Sequence, residues 1–411
     1  MGPLTAEGRA IMSVDVRTRS DGPVEAVDPG RFFTADLPAA LDAAAGRLGP
    51  ALGFLDLAPL TVDVDGDRWT LDPSGGRVTV RPGAPDGPAL RIDAEQLTDL
   101  VHDQVTPMGW LTSGRLHLGG GRLEPVLSWW LVLRAALDDR TPHVPGAVEL
   151  RGPDGAPLDL GRSFAADEPP EDMAAFLAEA GFLHITGLFT ADEMAAVSAD
   201  MDRAAPGYEP GDGRSWWATL RDGSSRVVRM QRFDEVSPAT AALVTDDRFL
   251  GLRLLSGDDH RWGKRSPNRI EGLFKPIGVT EGISDVPWHK DCSLGRHSYE
   301  CCTLTVGISV TGADAASGQL SVVAGSHRAL VWPAPMLQPG LDLPVVDLPT
   351  RTGDVTIHLS CTLHMAHPPV ERERRVMYSG FSLPPADRAS YQAGRARLGR
   401  IREAAPVTVS Q

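Results

Sequence analysis

Lysine is nearly absent from this chain of 411 residues: only Lys264, Lys275 and Lys290 occur, so almost every cation is an arginine. Acidic residues outnumber basic ones by 54 to 40, leaving a net charge of −14. Such a balance provides no broad basic surface to gather nucleic acid or anionic lipid, which argues against nucleic acid as a partner. Cysteine is scarce as well. The four present, Cys292, Cys301, Cys302 and Cys361, show no Cys-x-x-Cys spacing, which excludes a disulfide framework and a structural zinc site and makes a reducing cytoplasm the expected location. Long apolar runs are missing too. Val126 to Leu137 is the longest, well short of the roughly 18 residues that span a bilayer, and Met1 to Val14 has no apolar signal-peptide core. What remains is an ordinary globular composition, 42% hydrophobic and 23% charged, long enough for two or three domains.

The spacing of Leu37, Leu41, Ala44, Leu48 and Leu52 predicts an amphipathic helix behind an Asp36 N-cap. Alternating strands follow, with Leu60, Val62 and Val64 leading to an Asp65-Gly66 turn, then Trp69 and Leu71, Val78 and Val80, Leu90 and Ile92, and later Leu116 and Leu118. Helices are expected over Ala94 to Gln104 and Leu123 to Leu137. This order, with "GRLHLGGG" before the last helix, resembles the sterol-carrier-protein-2-like domains over roughly residues 30 to 140. Trp110, Trp129 and Trp130 then either line a ligand tunnel or fill the core of a small domain, and burial of aromatics makes the core the ordinary case.

Pro, Gly, Asp and Ala dominate from His143 to Pro170, which places the domain boundary near 150: an α+β unit over 1–150 and a second unit over 151–411. In the latter, Asp172 to Ala180 reads as a helix, Phe182 to Thr186 as a strand, and Thr190-Ala-Asp-Glu193 as a capping box opening a helix to Ala204. From Leu273 onward the pattern is one of short strands: Thr303 to Thr311, Gln319 to Val323, Val345 to Leu348, Asp354 to His358 and Arg374 to Leu383. These suggest an antiparallel jelly roll with flanking helices, α+β overall.

The densest chemistry lies in Trp288-His289-Lys290-Asp291. On extended backbone His289 and Asp291 point to one side and Lys290 to the other, and an imidazole with a carboxylate makes up two-thirds of the facial triad that holds Fe(II). Downstream, Gly353-Asp354 opens a strand through His358, followed by His364 and then by "ERERRVMYSGF". His358 and His364 share strand parity, whereas His367 falls in a turn. Either neighbour of His364 is a core or supporting histidine if His364 is the ligand. An arginine on the returning strand recognises a distal carboxylate bidentately; Arg374 and Arg375 face opposite ways, so only one can serve.

Four separated motifs, "PWHKD", "SGQLSVVAGSHR", "TGDVTIHLSCTLH" and "RRVMYSGF", together with "FLAEAGFLHITGLFTADEMAAVSADMDRA" before them, resemble the phytanoyl-CoA dioxygenase family of Fe(II)/2-oxoglutarate oxygenases over roughly residues 165 to 385. The resemblance implies a double-stranded β-helix with His289, Asp291 and His364 as iron ligands and Arg375, chosen by the family spacing, as the 2-oxoglutarate clamp. Lys275, in "LFKP", is expected either to help hold that cosubstrate or to lie on the surface. The cofactors implied are Fe(II), 2-oxoglutarate and O₂, and the presence of the Asp291 carboxylate favours hydroxylation over halogenation. Gly307 stands where the family often has Trp, which would widen the pocket there; His297 and His327 are expected to be structural or surface residues.

The carrier-like N-terminal segment suggests a hydrophobic small-molecule substrate, a lipid, terpenoid or other natural-product intermediate, with Trp216, Trp217, Met230 and Phe233 either at its lid or in the core. An amino-acid-like or carrier-tethered substrate is the alternative. Outside that chemistry stand a non-catalytic lipid-binding protein and a cupin-like metal isomerase or hydrolase that needs no O₂.

Overall fold

The computed structural model describes residues 17, 22–83, 89–120, 122–262, 269–282, 286–294, 303–333 and 335–403, with side chains of the final helix to residue 397; His297, Cys301 and Cys302 lie outside the described residues. Among the described residues no helix is long and apolar enough to cross a membrane.

The N-terminal part wraps helices around a five-stranded sheet. Helix α1 (Leu37–Phe54) is entered through Pro29–Arg31 and a π-turn, Phe32–Asp36. Asp28 rather than Asp36 is the cap, because the chain is already helical from Pro29 and the Asp28 carboxylate accepts from the Arg31 backbone N–H. Strands β1 (Leu60–Val64) and β2 (Asp67–Asp72) form the expected hairpin, turned by Asp65 and Gly66 at positive φ. β3 (Thr79–Pro82), β4 (Ala89–Ile92) and β5 (His117–Gly119) complete the order β3-β2-β1-β4-β5. The helix expected over 94–104 is shorter. α2 (Ala94–Val101) stops where Asp103 takes positive φ, and Thr106 then caps a separate α3 (Pro107–Thr112) before α4 (Glu124–Leu137). Trp110, Trp129 and Trp130 are each 1% exposed and belong to the core, whose internal cavity is only about 20 Å³. That is room for about one water molecule, so among the described residues this cavity is too small to hold a lipid.

The second part is a jelly roll. β6 (Phe164–Ala165), α5 (Pro170–Ala180), β7 (Phe182–Thr186) and α6 (Ala191–Ala204) come first, the last opened by the Thr190/Glu193 capping box. β8 (Ser215–Leu220), β9 (Ser225–Gln231), α7 (Pro238–Leu243), α8 (Asp247–Gly251), β10 (Arg261–Trp262), β11 (Ile270–Lys275) and β12 (Val279–Glu281) follow. Then come β13 (Thr303–Ser309), β14 (Leu320–Val323), β15 (Val345–Leu348), β16 (Val355–Leu359), β17 (His364–Ala366), β18 (Arg374–Ser382) and the closing helix α9 (Arg388–Glu403). The large sheet runs β12-β8-β9-β11-β18-β13-β16-β7-β6, with β10 beside β18, and faces the small sheet β15-β14-β17. Leu304, Val306, Ile308, Met377 and Phe381 join the main hydrophobic core, and Met377 is reached by Thr240 of α7. Alternate residues of the same strands therefore look the other way, into the space between the sheets.

Several contacts tie the parts together, among them Arg397 with Asp99 and Glu95 and His143 with Asp342. Leu330 and Trp332, from the loop after β14, are buried in the N-terminal core, and α3 packs against the 3₁₀ turn Asp291–Leu294.

Candidate metal centre

The His289 segment is stapled to the small sheet by paired backbone hydrogen bonds: His289 N–H to His364 O and His364 N–H to His289 O, each 2.9 Å. This isolated bridge sets two imidazoles from distant parts of the chain side by side, their ring centroids 4.2 Å apart. Asp291, two residues on, turns its carboxylate to the same point. One donor atom from each of His289, Asp291 and His364 lies within 4.8 Å of the others. Lys290 points away, fully buried, and donates to Ser326 O at 2.8 Å, which anchors the motif to the turn that leads into the N-terminal core.

Protonation suits a metal. His289 Nδ1 is 2.8 Å from Pro287 O and His364 Nδ1 is 2.9 Å from Thr362 O; a carbonyl only accepts, so both Nδ1 atoms carry the proton and both Nε2 lone pairs face the shared point. Burial pushes His364 well below its usual value, and His358 and His289 act in the same direction, so it is a neutral ligand. Burial alone would raise Asp291, but His364, His289 and His358 outweigh it and hold the carboxyl well below the usual range. Two imidazole nitrogens and one carboxylate, with a third of the Asp291 side chain exposed, form a donor set that fits Fe(II).

The arginine expected at the site is elsewhere. Arg375 shares the outward face of Met377 and reaches α6, donating to Ser198 O, Ser198 Oγ and Asp202 Oδ2, each at 2.9 Å. Arg374 is the inward one: 4% exposed, it donates to Gly318 O and, at 3.2 Å, to Tyr378 Oη. The reason is the pleat, since one residue of register exchanges the two faces. Lys275 is Arg374's cross-strand neighbour on β11 and is 3% exposed, so it is interior rather than at the surface. The room expected beside Gly307 is filled, because a Cβ there would lie 3.0 Å from the Tyr378 ring and 2.9 Å from Thr356 Oγ1.

The sequence reading passed over Thr305, Thr356 and Tyr378. Their signal was present: Thr303, Thr305 and Gly307 alternate with buried Leu304, Val306 and Ile308, marking the small and polar positions as the side facing the inter-sheet space. Of the residues considered for a lid, Met230 and Phe233 are fully buried core, while Trp216 and Trp217 are half-buried. His327 is structural, with Nε2 2.9 Å from Ala178 O.

Residues 177–376 match the sequence profile of the phytanoyl-CoA dioxygenase family. No curated protein sequence matches the chain. Among solved structures, the α-ketoglutarate-dependent epimerase SnoN of nogalamycin biosynthesis is 21% identical, with a TM-score of 0.40 over 54% of this chain and 88% of that one. EctD from S. alaskensis is 18% identical, with a TM-score of 0.42 over 59% and 85%. HygX from Streptomyces hygroscopicus is 19% identical, with a TM-score of 0.38 over 51% and 85%. Likeness at this level carries no weight for the reaction. The matched profile covers the stretch that holds all three converging side chains, and it is this segment, residues 177–376, that belongs to the phytanoyl-CoA dioxygenase family of Fe(II)- and 2-oxoglutarate-dependent oxygenases.

Proposed function

We propose that this protein hydroxylates a C–H bond of a small, largely hydrophobic molecule, using O₂ and 2-oxoglutarate and releasing succinate and CO₂. The observation that carries the reading is the pair of Nδ1–H bonds to Pro287 O and Thr362 O, which turns the Nε2 atoms of His289 and His364 toward Asp291 as ligands. Iron held by those three side chains supplies the O₂ chemistry. The chain's own residues orient the partners. Arg374, with part of its donor fork beyond Gly318 O and Tyr378 Oη, takes the distal carboxylate of 2-oxoglutarate, and Lys275 beside it adds a second cation at a buried position that an anion stabilises.

Substrate lies along the inner face of the large sheet. Cross-strand pairing lines up Trp216, Arg229, Leu273 and Val376 there, and neither Leu273 nor Val376 is claimed by the main core. Leu273, Val376 and the half-buried Trp216 supply the apolar contact, and exclusion of water protects the reacting centre. The Arg229–Glu271 ion pair on the same face favours a second reading, an amino-acid-like or carrier-tethered substrate whose charge exchanges with that pair. Residues 1–150 act in this proposal as a packed buttress: with a core cavity of about 20 Å³ they deliver no lipid, but α3 supports the turn carrying Asp291.

Release of succinate from 2-oxoglutarate by the Fe(II)-loaded protein is the test. Turnover that needs O₂ and is lost in His289→Ala supports the reading. A protein that turns over equally well without O₂ would instead be a cupin-like isomerase or hydrolase, and one that never consumes 2-oxoglutarate would be a binding protein.

A further inference from the structure

The two oxygens of Asp291 keep different company. Oδ1 lies 3.4 Å from His289 Nε2 and 3.6 Å from His364 Nε2, on the side where the donors converge. Oδ2 is held on the other side: Thr305 Oγ1 donates to it at 2.7 Å and His358 Nε2 stands 3.3 Å away. Thr305 and His358 are directly paired across β13 and β16, so two strands of the rigid sheet present both groups together. His358 is 1% exposed, and its Nδ1 has no hydrogen-bond partner among the described residues. A carboxylate oxygen only accepts, so His358 Nε2 is the donor of this pair and gives its N–H to Oδ2. The ring packs against that of His364, centroids 4.1 Å apart, which fixes its orientation.

We infer that His358, acting with Thr305, is a positioning residue that saturates Oδ2 of Asp291 and thereby restricts this carboxylate to one-oxygen ligation of the metal. The inference rests on the oxygenase reading and goes beyond it by giving a role to a histidine outside the ligand set. A carboxylate whose second oxygen is unclaimed can swing to chelate a metal through both oxygens, taking up a position that exchangeable ligands need. Outer partners that fix a ligand's orientation are the part of a metal site whose loss typically lowers affinity by about 10–100-fold without removing a ligand.

Co(II), bound to the full-length protein as a stand-in for Fe(II), provides the test, since its visible absorption intensity reports coordination number independently of turnover. His358→Phe keeps the bulk and removes the donor; it should weaken Co(II) binding by at least about tenfold and alter the absorption, while the melting point of the metal-free protein stays near the parent value. His358→Gln, which restores an N–H, should bind within about threefold of the parent. Unchanged affinity and spectrum in His358→Phe, or equal damage in both variants, would overturn the inference. Should His358→Phe not fold, Thr305→Val against Thr305→Ser makes the same comparison, with weaker binding expected only for Val. A parent protein that binds neither Co(II) nor Fe(II) would refute the oxygenase reading itself, a result distinguishable from a variant that simply behaves like its parent.

Discussion

Replacing Arg374 and Arg375 one at a time by Gln separates two positions that are adjacent in the chain and opposite in space. Arg374 is 4% exposed and faces the inter-sheet space; a hydrogen bond to a charged partner there is worth roughly 1.5–3 kcal/mol. At about 1.4 kcal/mol per factor of ten, its loss should raise the KM for 2-oxoglutarate roughly 10- to 150-fold. Arg375 is paired with Asp202, whose side chain is 63% exposed, and such a pair contributes only about 0.2–1 kcal/mol. Arg375→Gln should therefore leave that KM within about twofold and cost at most a few degrees of melting temperature. Succinate release at graded 2-oxoglutarate concentrations measures both, with the thermal midpoint of the metal-free protein as a control, because Arg374 also serves Gly318 O and its loss carries a stability cost. A large KM increase in Arg375→Gln with none in Arg374→Gln would refute the assignment of the inward face.

Other outcomes follow from the same coordinates. Trp130→Ala should destabilise the protein by roughly 3–5 kcal/mol in urea unfolding, and added fatty acid or sterol should not raise the parent's melting point, since the N-terminal core is filled. Gly353 has φ +86° and a Cβ there would stand 1.9 Å from Phe189 O, so Gly353→Ala should lower the melting temperature by at least about 5 °C through left-handed strain and a backbone clash at the start of β16. Burial pushes His327 down to about 4; its bond to Ala178 O opposes this, and the charges of Lys290 and Arg328 act with burial. An unfolded chain then takes up the proton first as pH falls from about 6.5 toward 4, so His327 contributes a loss of stability over that interval, which should be smaller in His327→Asn when urea midpoints at pH 7 and pH 5 are compared. Chelation should abolish 2-oxoglutarate turnover, and Fe(II), but not Mg²⁺, should restore it, because two imidazoles suit a transition metal better than a hard oxygen-seeking ion.

Much of the architecture is local in origin and readable from the chain. The strands around Thr303, Leu320, Val345, Val355 and Arg374 fall where alternation of apolar residues put them, because burial of one face is a period-two property of the residues themselves. The capping box at Thr190 and Glu193 and the Asp65-Gly66 hairpin are likewise short-range chemistry. His-x-Asp parity brought His289 and Asp291 to one side for the same reason. What required the tertiary structure was every choice that depends on pairing between distant strands. Whether Arg374 or Arg375 points inward is set by the register of β18 against β11 and β13, and spacing from His364 cannot supply it because the intervening turn absorbs a residue without trace. Tyr378 filling the space beside Gly307, and Thr305 and His358 meeting on Asp291, are likewise cross-strand neighbours that only folding makes adjacent. For Trp110, Trp129 and Trp130 the sequence made a core the ordinary case and left a tunnel as the alternative, and the structure places all three in the core, since volume is a property of how helices and sheet meet rather than of any one segment.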